Sequence, residues 1–502
     1  MKVITIEPEQ FDSFAKKHKY RNYYQTSTYG NIMKQFDYDV IYIGINNDED
    51  RTIGAGLLLV QNSVMKTKIA YAPRGILFDF TDSEKLTQLV EALKRDLSKL
   101  GIALLTMDPA IPITIRDNKG NIVNINNEAK IVMENLKNTG FTYKGQNLYF
   151  ENKKPRWEAL TVLQKDIRDI YKSFDKRTRN KINKALKSGV EIYRDDKKDL
   201  TTLYDFIKRK EEKPFKYYQE LVKTYGNNAD VFYARLNTEQ FVINCKKLYE
   251  DEVEKNEEIA TKFQQLAKQS GDRREIFDKK VQSDKLLNIY KSNLIFATNV
   301  LKENPDGLII AGGLNIVYDN AAYLVIEGFD PKYRSLNANY LLKWRMVSDY
   351  TNEKLKYFNL NGIAGNFDKK NKYTGLNEMK LGYNSVITEY IGEYDIIINN
   401  FKYNLYKNFS KNKSSKWELF LFSTLYPTKK TDYSVFSYHY STISETEPAP
   451  TVRPPSRIEN LVPCSRAIEW INSTSILTLS PGITISTPSG NVITPVTSVV
   501  LK

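Results

Sequence analysis

The sequence predicts an α/β fold, because short apolar strands alternate with amphipathic helices along most of the chain. Ile53–Val60 and Ile102–Met107 have the composition of core strands. Between them, Glu84–Leu100 carries apolar residues at the spacing of an amphipathic helix, and Gly101 is a natural helix C-cap. Asp108 follows the second strand, at the end of a strand where open α/β sheets usually bind ligands. A turn-forming Asp before proline is an equally simple interpretation.

A second α/β unit begins near Trp157 and is interrupted at 241–297 by a charge-rich segment with thinly spaced apolar residues. This segment predicts two helices that form a hairpin about Gly271, as a marginal coiled coil with polar residues at several core positions. Such an arm is a spacer or oligomerisation device more often than a nucleic-acid arm. Strands and helices then resume, and the later elements are predicted at 307–317, 337–350, 357–362, 390–398 and 396–426.

These patterns divide the chain into four parts: a first domain at 1–150, a second domain made of 151–240 and 298–426, the helical arm at 241–297, and a tail at 427–502. The tail is rich in Ser, Thr, Pro and Val and almost lacks lysine. That composition is typical of a linker followed by β-prone or disordered material, and we assign it no function.

Composition limits the classes of function. The chain has 74 Lys and Arg against 60 Asp and Glu, and its net charge of +14 attracts nucleic acid, anionic lipid or phosphorylated metabolites. The two cysteines and two histidines are isolated, so we expect no disulfide framework, metal site or Ser-His-Asp triad, and no cofactor. No apolar run reaches the length of a signal peptide or membrane span, so we expect a cytoplasmic protein able to touch the inner membrane surface.

One motif suggests acetyl-CoA. Arg51-Thr-Ile-Gly54-Ala-Gly56 fits the Arg-x-x-Gly-x-Gly pattern with which acetyltransferases bind a pyrophosphate. In those enzymes the glycines lead into a helix whose N-terminus faces the phosphate, whereas here they lead into an apolar strand. The motif therefore leaves an acetyl-CoA-dependent N-acyltransferase only as an alternative interpretation.

Residues 177–185 form the densest basic run of the chain, Arg-Thr-Arg-Asn-Lys-Ile-Asn-Lys-Ala. Alone, such a run is most often the solvated face of a helix. Two further motifs accompany it at a distance, Tyr-Ala-Pro-Arg-Gly at 71–75 and Lys-Leu-Gly-Tyr at 380–383. The combination carries more information than any of the three motifs alone.

Together the motifs resemble the Fem family of non-ribosomal peptidyl transferases, which build the peptide cross-bridge of bacterial peptidoglycan. The resemblance covers residues 20 to 410 and rests on these marks: Gln25-Thr26-Ser27 with Lys34, Tyr71–Gly75, Asp108-Pro109, 177–185, Tyr217-Tyr218, Gly362, Lys380-x-Gly382-Tyr383 and Tyr390–Glu393. It implies two domains of the acetyltransferase (GNAT) fold with a helical hairpin inserted in the second. It also implies transfer of Gly, Ala or Ser from aminoacyl-tRNA to the stem-peptide amine of a lipid-linked or UDP-linked muramyl pentapeptide.

The resemblance implies two catalytic residues. Lys380 matches the position that family members place at the reaction centre, where an ammonium offsets the negative charge of a tetrahedral intermediate. Asp108 is a candidate for holding or deprotonating the attacking amine, whose unperturbed pKa is about 10.4. The tRNA end is the alternative source of assistance for that proton transfer.

Binding roles are implied for two further sets of residues. The acceptor candidates are Lys34, Arg74, Lys213, Lys216, Tyr217, Tyr218, Gly382 and Tyr383. Lys34 and either Lys213 or Lys216 are assigned to the diphosphate, although the family pattern has an arginine ahead of the tyrosine pair. The two tyrosines either line the acceptor groove or belong to the core. The tRNA candidates are Arg177, Arg179, Lys181 and Lys184.

The chain departs from the family pattern at two places. Ile76 replaces the usual proline after Pro-Arg-Gly, which alters a turn. Asn359–Gly362 replaces an acid and paired glycines near the implied reaction centre. A non-catalytic basic RNA-binding or scaffold protein is the alternative from another class, and its binding would depend strongly on salt.

Overall fold

The computed structural model describes residues 1–63, 67–209, 213–268, 274–368 and 370–412, and the short strands 485–486 and 492–493. The chain divides into two compact units, Met1–Ser444 and Glu445–Lys502. In the second unit the two described strands pair antiparallel. The rest of the predicted tail, and the predicted helix beyond residue 412, lie outside the described residues.

Strands and helices alternate along the described chain, as the apolar patterns predict. The strands are β1 (Lys2–Thr5), β2 (Asp39–Asn46), β3 (Thr52–Asn62), β4 (Lys68–Ala72), β5 (Ile102–Met107), β6 (Pro112–Arg116), β7 (Ile122–Ile125), β8 (Thr142–Tyr143), β9 (Trp157–Val162), β10 (Val190–Arg194), β11 (Ala229–Leu236), β12 (Leu308–Tyr318), β13 (Ala321–Phe329), β14 (Tyr357–Gly362), β15 (Val386–Tyr390), β16 (Tyr394–Ile397), β17 (Ile485–Ser486) and β18 (Val492–Ile493). The helices are α1 (Pro8–Ala15), α2 (Ser27–Met33), α3 (Ser83–Lys99), α4 (Asn127–Asn138), α5 (Ile167–Ser173), α6 (Lys176–Lys187), α7 (Thr201–Ile207), α8 (Phe215–Tyr225), α9 (Thr238–Lys268), α10 (Arg274–Glu303), α11 (Ala338–Asn352), α12 (Thr374–Leu381) and α13 (Asn400–Asn412).

The first sheet has seven strands in the order β1-β2-β3-β4-β5-β16-β8. β2, β3 and β4 are antiparallel neighbours, and β5 runs parallel to β4 because α3 returns the chain across the sheet. Asp82 caps α3 by accepting a hydrogen bond from the backbone N–H of Lys85, and Gly101 follows the helix at a φ of +85°. The apolar face of α3, with Leu89 and Leu93, belongs to the buried core of this sheet.

The second sheet has nine strands in the order β10-β11-β12-β13-β14-β9-β15-β6-β7. It repeats the arrangement of the first: β11, β12 and β13 are antiparallel neighbours, and β14 runs parallel to β13 after the crossover through α11. Two successive units with the same strand and helix arrangement therefore make up the described part of Met1–Ser444.

The two sheets exchange strands. β6 and β7 come early in the chain but lie in the second sheet beside β15, whereas β16 returns to the first sheet and pairs with β5 and β8. The element predicted at 390–398 is thus two strands, divided at Gly392, whose φ of +91° turns the chain. A buried apolar cluster that includes Leu57 of β3 and Leu314 of β12 also joins the sheets.

α9 and α10 form an antiparallel helical hairpin. Thr238 at the start of α9 donates a hydrogen bond to the carbonyl oxygen of Asn304, just after α10, and Phe263 contacts Phe277 near the other end. The base of the hairpin is part of the core of the second sheet, where Phe241, with Ala297, is buried. None of the described helices is both long and apolar enough to cross a membrane.

The middle of the hairpin contains the polar positions that its sequence predicts. Ser283 donates a hydrogen bond to Glu252 at 2.7 Å and accepts one from Asn256 at 2.9 Å, and all three residues are buried. A satisfied polar cluster of this kind favours one register of two helices over others. The hairpin register is therefore specified by side-chain pairing as well as by its thin apolar seam.

Candidate active site

Arg74 and Asp108 meet at the ends of two parallel strands. Arg74 follows β4 and Asp108 follows β5, so both lie at the carboxyl edge of the first sheet. The backbone N–H of Arg74 donates to Asp108 at 2.6 Å, and its guanidinium lies 4.0 Å from the same carboxylate. Asp108 also accepts a hydrogen bond from the Tyr71 hydroxyl at 3.0 Å. The predicted carboxylate thus lies beside the predicted arginine, and both side chains are buried.

Arg74 joins the first sheet to the second through Glu158 of β9. Its Nη2 donates to Glu158 at 2.5 Å and to the carbonyl oxygen of Pro155 at 2.7 Å. The other oxygen of Glu158 accepts hydrogen bonds from Asn359 at 2.8 Å and from the Tyr390 hydroxyl at 3.2 Å. The guanidinium also lies over the Tyr390 ring at 4.4 Å. A satisfied ionic network therefore joins the first sheet to the second.

The network includes Asn359, one of the residues at which the chain departs from the family pattern. Its amide donates to Glu158 from β14, and its side-chain oxygen accepts from the backbone N–H of Asn361 at 2.7 Å. An acid at position 359 would place a second carboxylate against Glu158. The asparagine and the glutamate are therefore matched to each other.

Lys380 lies in the last turn of α12, and its Nζ donates to the carbonyl oxygen of Gly362 at 2.7 Å. Its side chain is buried beside the ion pair of Lys343 and Glu327. Burial lowers the pKa of Lys380 to about 8; the carboxylate of Glu327 opposes this shift, and the positive charge of Lys343 adds to it. Glu158 also acts on Lys380 through its charge, which links the lysine to the Arg74 network.

Asp108 is suited to accept a proton. Burial raises the pKa of Asp108 to about 6, although the positive charge of Arg74 and the hydrogen bond from its backbone act in the opposite direction. A carboxylate with this pKa is mostly ionised at neutral pH and is a stronger base than an exposed aspartate. The site therefore holds a candidate base and a candidate ammonium whose pKa values bracket neutrality.

The segment 153–156 forms part of the site and was missed by the sequence analysis. Lys153 lies 5.0 Å from the centre of the Tyr71 ring, and Lys154 lies 3.8 Å from the centre of the Tyr24 ring. Burial lowers the pKa of Lys154, and the nearby charge of Lys213 lowers it further, while Asp108 opposes the shift. A Lys-Lys-Pro-Arg sequence resembles any exposed basic loop, so only the fold reveals these contacts.

The predicted diphosphate residues differ in their surroundings. Lys213 lies over the ring of Tyr217 at 4.1 Å and is electrostatically coupled to Lys154. Lys34, at the end of α2, and Lys216, in the first turn of α8, are exposed. Because α2 packs on α8, all three lysines lie on neighbouring elements, and only Lys213 is brought towards Asp108 through Lys154.

The predicted tyrosines and the glycine of the acceptor set lie mainly in the core. Tyr217 and Tyr218 are buried in the apolar cluster between the sheets, although Tyr217 also contacts Lys213. Tyr383 is fully buried and donates a hydrogen bond to the carbonyl oxygen of Tyr340 at 2.8 Å. Gly382 packs against Thr178 so closely that a Cβ would overlap the threonine hydroxyl. Gly382 and Tyr383 thereby fix α12 against α6 and α11.

The basic run forms α6, and its four candidate residues have different surroundings. Arg179 donates to the carbonyl oxygen of Phe174 at 2.9 Å, and Lys181 donates to the Tyr340 hydroxyl at 2.9 Å. Arg177 forms an exposed ion pair with Glu378. Lys184 is exposed, as are Lys176 and Lys187 on the same helix. The solvent-facing charge of α6 is therefore carried by a set that only partly overlaps the predicted one.

The structure also locates the glycines of the Arg-x-x-Gly-x-Gly motif. Gly54 and Gly56 lie inside β3, where a Cβ would meet Phe78 or Ile76, and they do not precede a helix. Among the residues that the structure describes, no group of three His, Cys, Asp or Glu side chains is placed to hold a metal ion. The candidate active site is therefore formed by the Arg74 network and Lys380.

The described fold thus consists of two successive α/β units that meet at the Arg74 network, with the buried Lys380 within electrostatic reach of that network. The model of the FemAB family matches residues 6–411, and the chain belongs to that family. The predicted family, the fold class with its two GNAT-like domains and inserted hairpin, and the enzyme class of aminoacyltransferase are confirmed.

The similarity to curated relatives extends over nearly the whole length of each relative. The chain is 23% identical over 432 residues to aminoacyltransferase FemA of Staphylococcus epidermidis, which spans 82% of this chain and 100% of the relative. It is 22% identical over 422 residues to lipid II:glycine glycyltransferase of Staphylococcus aureus, over 81% of this chain and 95% of the relative. The crystal structure of FemX shares the fold, with a TM-score of 0.59 and 20% identity over 81% of this chain and 99% of FemX.

Proposed function

We propose that the protein transfers Gly, Ala or Ser from aminoacyl-tRNA to the stem-peptide amine of a lipid-linked peptidoglycan precursor. The observation that carries the proposal is a buried network in which Arg74 contacts both Glu158 and Asp108, with the buried Lys380 within electrostatic reach of Glu158. The lipid-linked acceptor is supported by the Staphylococcus aureus relative, which is named lipid II:glycine glycyltransferase. Such an acceptor brings the protein to the inner face of the membrane.

The reaction forms one C–N bond and breaks one C–O bond. The acceptor amine attacks the ester carbonyl carbon, and the ester oxygen leaves with a proton as the 3′- or 2′-hydroxyl of the tRNA. Asp108 takes the proton that the attacking amine loses. The ammonium of Lys380 stabilises the negative charge that develops on the carbonyl oxygen. Exchange of an ester for an amide is downhill, so the step needs no nucleotide triphosphate.

Lys154 and Lys213 supply positive charge for the acceptor. The charge of Lys213 lowers the pKa of Lys154, and each side chain lies over a tyrosine ring, so an anion bound beside them would favour the charged form of Lys154. We assign them to anionic groups of the acceptor, with Lys34 and Lys216 nearer the solvent. Two positive side chains close together in a partly buried site favour the binding of an anion between them.

The direct test is transfer of radiolabelled Gly, Ala and Ser from charged tRNA to lipid-linked and to UDP-linked pentapeptide. Label in the lipid-linked acceptor supports the proposal and identifies the amino acid. Label only in the UDP-linked acceptor overturns the assignment of the acceptor. Salt-sensitive RNA binding with no transfer to either acceptor favours the non-catalytic alternative.

The pH dependence of kcat/KM is expected to be bell-shaped. Activity rises as Asp108 loses its proton near its pKa of about 6, and it falls as Lys380 loses its proton near its pKa of about 8. Lys380→Arg extends the alkaline limb to higher pH, because a guanidinium keeps its charge there. Rates are corrected for spontaneous ester hydrolysis, and an unchanged alkaline limb in the variant assigns that limb to another group.

Lys184→Ala and Lys187→Ala are each expected to weaken tRNA binding and to reduce the slope of log K against log salt by roughly one. Both side chains are exposed on α6, next to the arm, because Asn244 of α9 donates a hydrogen bond to the carbonyl oxygen of Lys187 at 2.8 Å. Lys94→Ala on α3 is the matched control, since it removes one exposed charge elsewhere. Equal slopes for all three variants exclude α6 as the RNA surface.

A further inference from the structure

Exposed aliphatic side chains are concentrated on β7 and the start of α4. Val123 is 61% exposed, and Ile122, Ile125 and Ile131 are 48%, 46% and 49% exposed. Single exposed aliphatics are ordinary on a protein surface, but these four lie within ten residues, and Val123 and Ile125 share one face of the strand. We call these four residues the β7 patch. No helix or strand among the described residues covers it.

β7 is the last strand of the nine-stranded sheet, so one backbone edge is unpaired within the described part of the chain. Edge strands of this kind are usually protected by lysine, proline or other charged side chains. From Gly120 to Asn127 the sequence contains only Gly, Asn, Ile and Val. The edge therefore lacks the usual protection and is suited to contact with a partner.

Lysines lie at one end of the patch. Lys119 is exposed in the turn between β6 and β7, and the neighbouring Gly120 packs on the ring of Phe367. The loop that follows Phe367 exposes Lys370 and Lys372. The acids of these two loops accept hydrogen bonds from their own backbones, as Asp117 does from the N–H groups of Lys119 and Asn121. Aliphatic side chains beside lysines match the interface of an anionic bilayer.

The patch is close to the candidate active site within one sheet. The strands β9, β15, β6 and β7 are consecutive neighbours, so β7 lies three strand spacings, roughly 14 Å, from the strand that carries Glu158. An acceptor anchored in a bilayer keeps its lipid in the membrane while its peptide reaches the site. A membrane contact on this edge places the bilayer within reach of that peptide.

We propose that the β7 patch and its flanking lysines dock the protein on the surface of an anionic lipid bilayer. The aliphatic side chains enter the headgroup region, while the unpaired strand edge remains at a depth where water and headgroups satisfy its backbone groups. The inference rests on the proposed function, because a lipid-linked acceptor is what requires such docking. The surface itself is testable without any acceptor.

The experiment compares the full-length protein with Val123→Glu/Ile125→Glu by cosedimentation with vesicles of phosphatidylglycerol and phosphatidylcholine. Each variant is also assayed with bilayer-embedded acceptor and with the same acceptor in detergent micelles. Leu100→Glu/Ile243→Glu is the matched control, since it adds the same charges at two other exposed aliphatics. We expect the patch variant to bind vesicles at least about tenfold more weakly and the control to bind as the parent does.

The activity ratio separates docking from chemistry. The patch variant is expected to lose rate with the bilayer-embedded acceptor relative to the same acceptor in detergent micelles, and circular dichroism shows that the variant is folded. Unchanged vesicle binding in the patch variant overturns the inference, whatever the activities are. A parent protein that is dimeric without vesicles, and a monomeric patch variant, also overturn it and assign the edge to self-association. Absence of transfer by the parent is instead a failure of the proposed function.

Discussion

Lys380→Met is expected to reduce kcat/KM for aminoacyl transfer by about 100- to 1,000-fold, the usual loss when one group that stabilises an oxyanion is removed. Methionine preserves the length and apolar volume of the lysine stem but supplies neither the positive charge nor the hydrogen bond to the Gly362 carbonyl oxygen. The effect should fall mainly on kcat, because the charge is needed when the tetrahedral intermediate forms. Single-turnover transfer from charged tRNA measures it directly.

Lys343→Met is the matched control, since Lys343 is a buried lysine in the same region whose charge is used by Glu327. Loss of that lysine destabilises the fold by leaving a carboxylate without its cation, but it leaves the Lys380 ammonium in place. We expect the activity of its folded fraction to stay within about tenfold of the parent. Equal losses in the two variants, at equal folded fractions, contradict a catalytic role for Lys380. If both variants keep the RNA affinity of the parent, a loss of transfer rate is not caused by a loss of RNA binding.

The local elements of this fold follow from sequence, and the exchange between the sheets does not. The apolar spacing of 84–100 and the following glycine predict α3 almost to the residue. By contrast, β16 pairs with β5 from nearly 300 residues away, as Thr106 and Asp395 show through their hydrogen bond at 2.7 Å. Periodicity describes which face of an element is apolar but not which strand it meets. The apolar run at 390–398 therefore looked continuous, although Gly392 divides it between two sheets.

In the candidate site, too, sequence patterns reveal local features but not long-range contacts. Asp108 is predicted from the sequence because an acid after a buried strand is a local feature, and Lys380 is predicted because its motif resembles a family pattern. Glu158 lies within an ordinary strand sequence, and its importance comes from Arg74, which lies 84 residues earlier in the chain. Lys154 has no local signature at all. Residues whose roles depend on long-range pairing thus escape sequence analysis, while residues in short motifs do not.

Arg74→Met is expected to lower the free energy of unfolding of the tandem domains by about 3–5 kcal/mol, the usual cost of breaking a buried ion pair by removing one partner. Arg74 satisfies Glu158 directly and faces Asp108, and the side chains of all three residues are less than a tenth exposed. Its removal leaves Glu158 buried without its cation and leaves Asp108 with only the charge of Lys154 nearby. Urea unfolding followed by tryptophan fluorescence, to which the buried Trp157 beside Glu158 contributes, measures the loss.

Arg177→Met tests whether burial of the ion pair causes the large loss of unfolding free energy expected for Arg74→Met. Arg177 also pairs with a glutamate, Glu378, at 2.9 Å, but both side chains are about half exposed, and such surface pairs contribute about 0–1 kcal/mol. A small change for Arg177→Met and a large one for Arg74→Met show that the network between the sheets stabilises the junction on which the site is built. The double variant Arg74→Met/Glu158→Gln removes one unpaired charge and should recover part of the loss, since the glutamine keeps hydrogen bonds with Asn359 and Tyr390. No recovery means that Asp108, rather than Glu158, is the carboxylate that depends on Arg74.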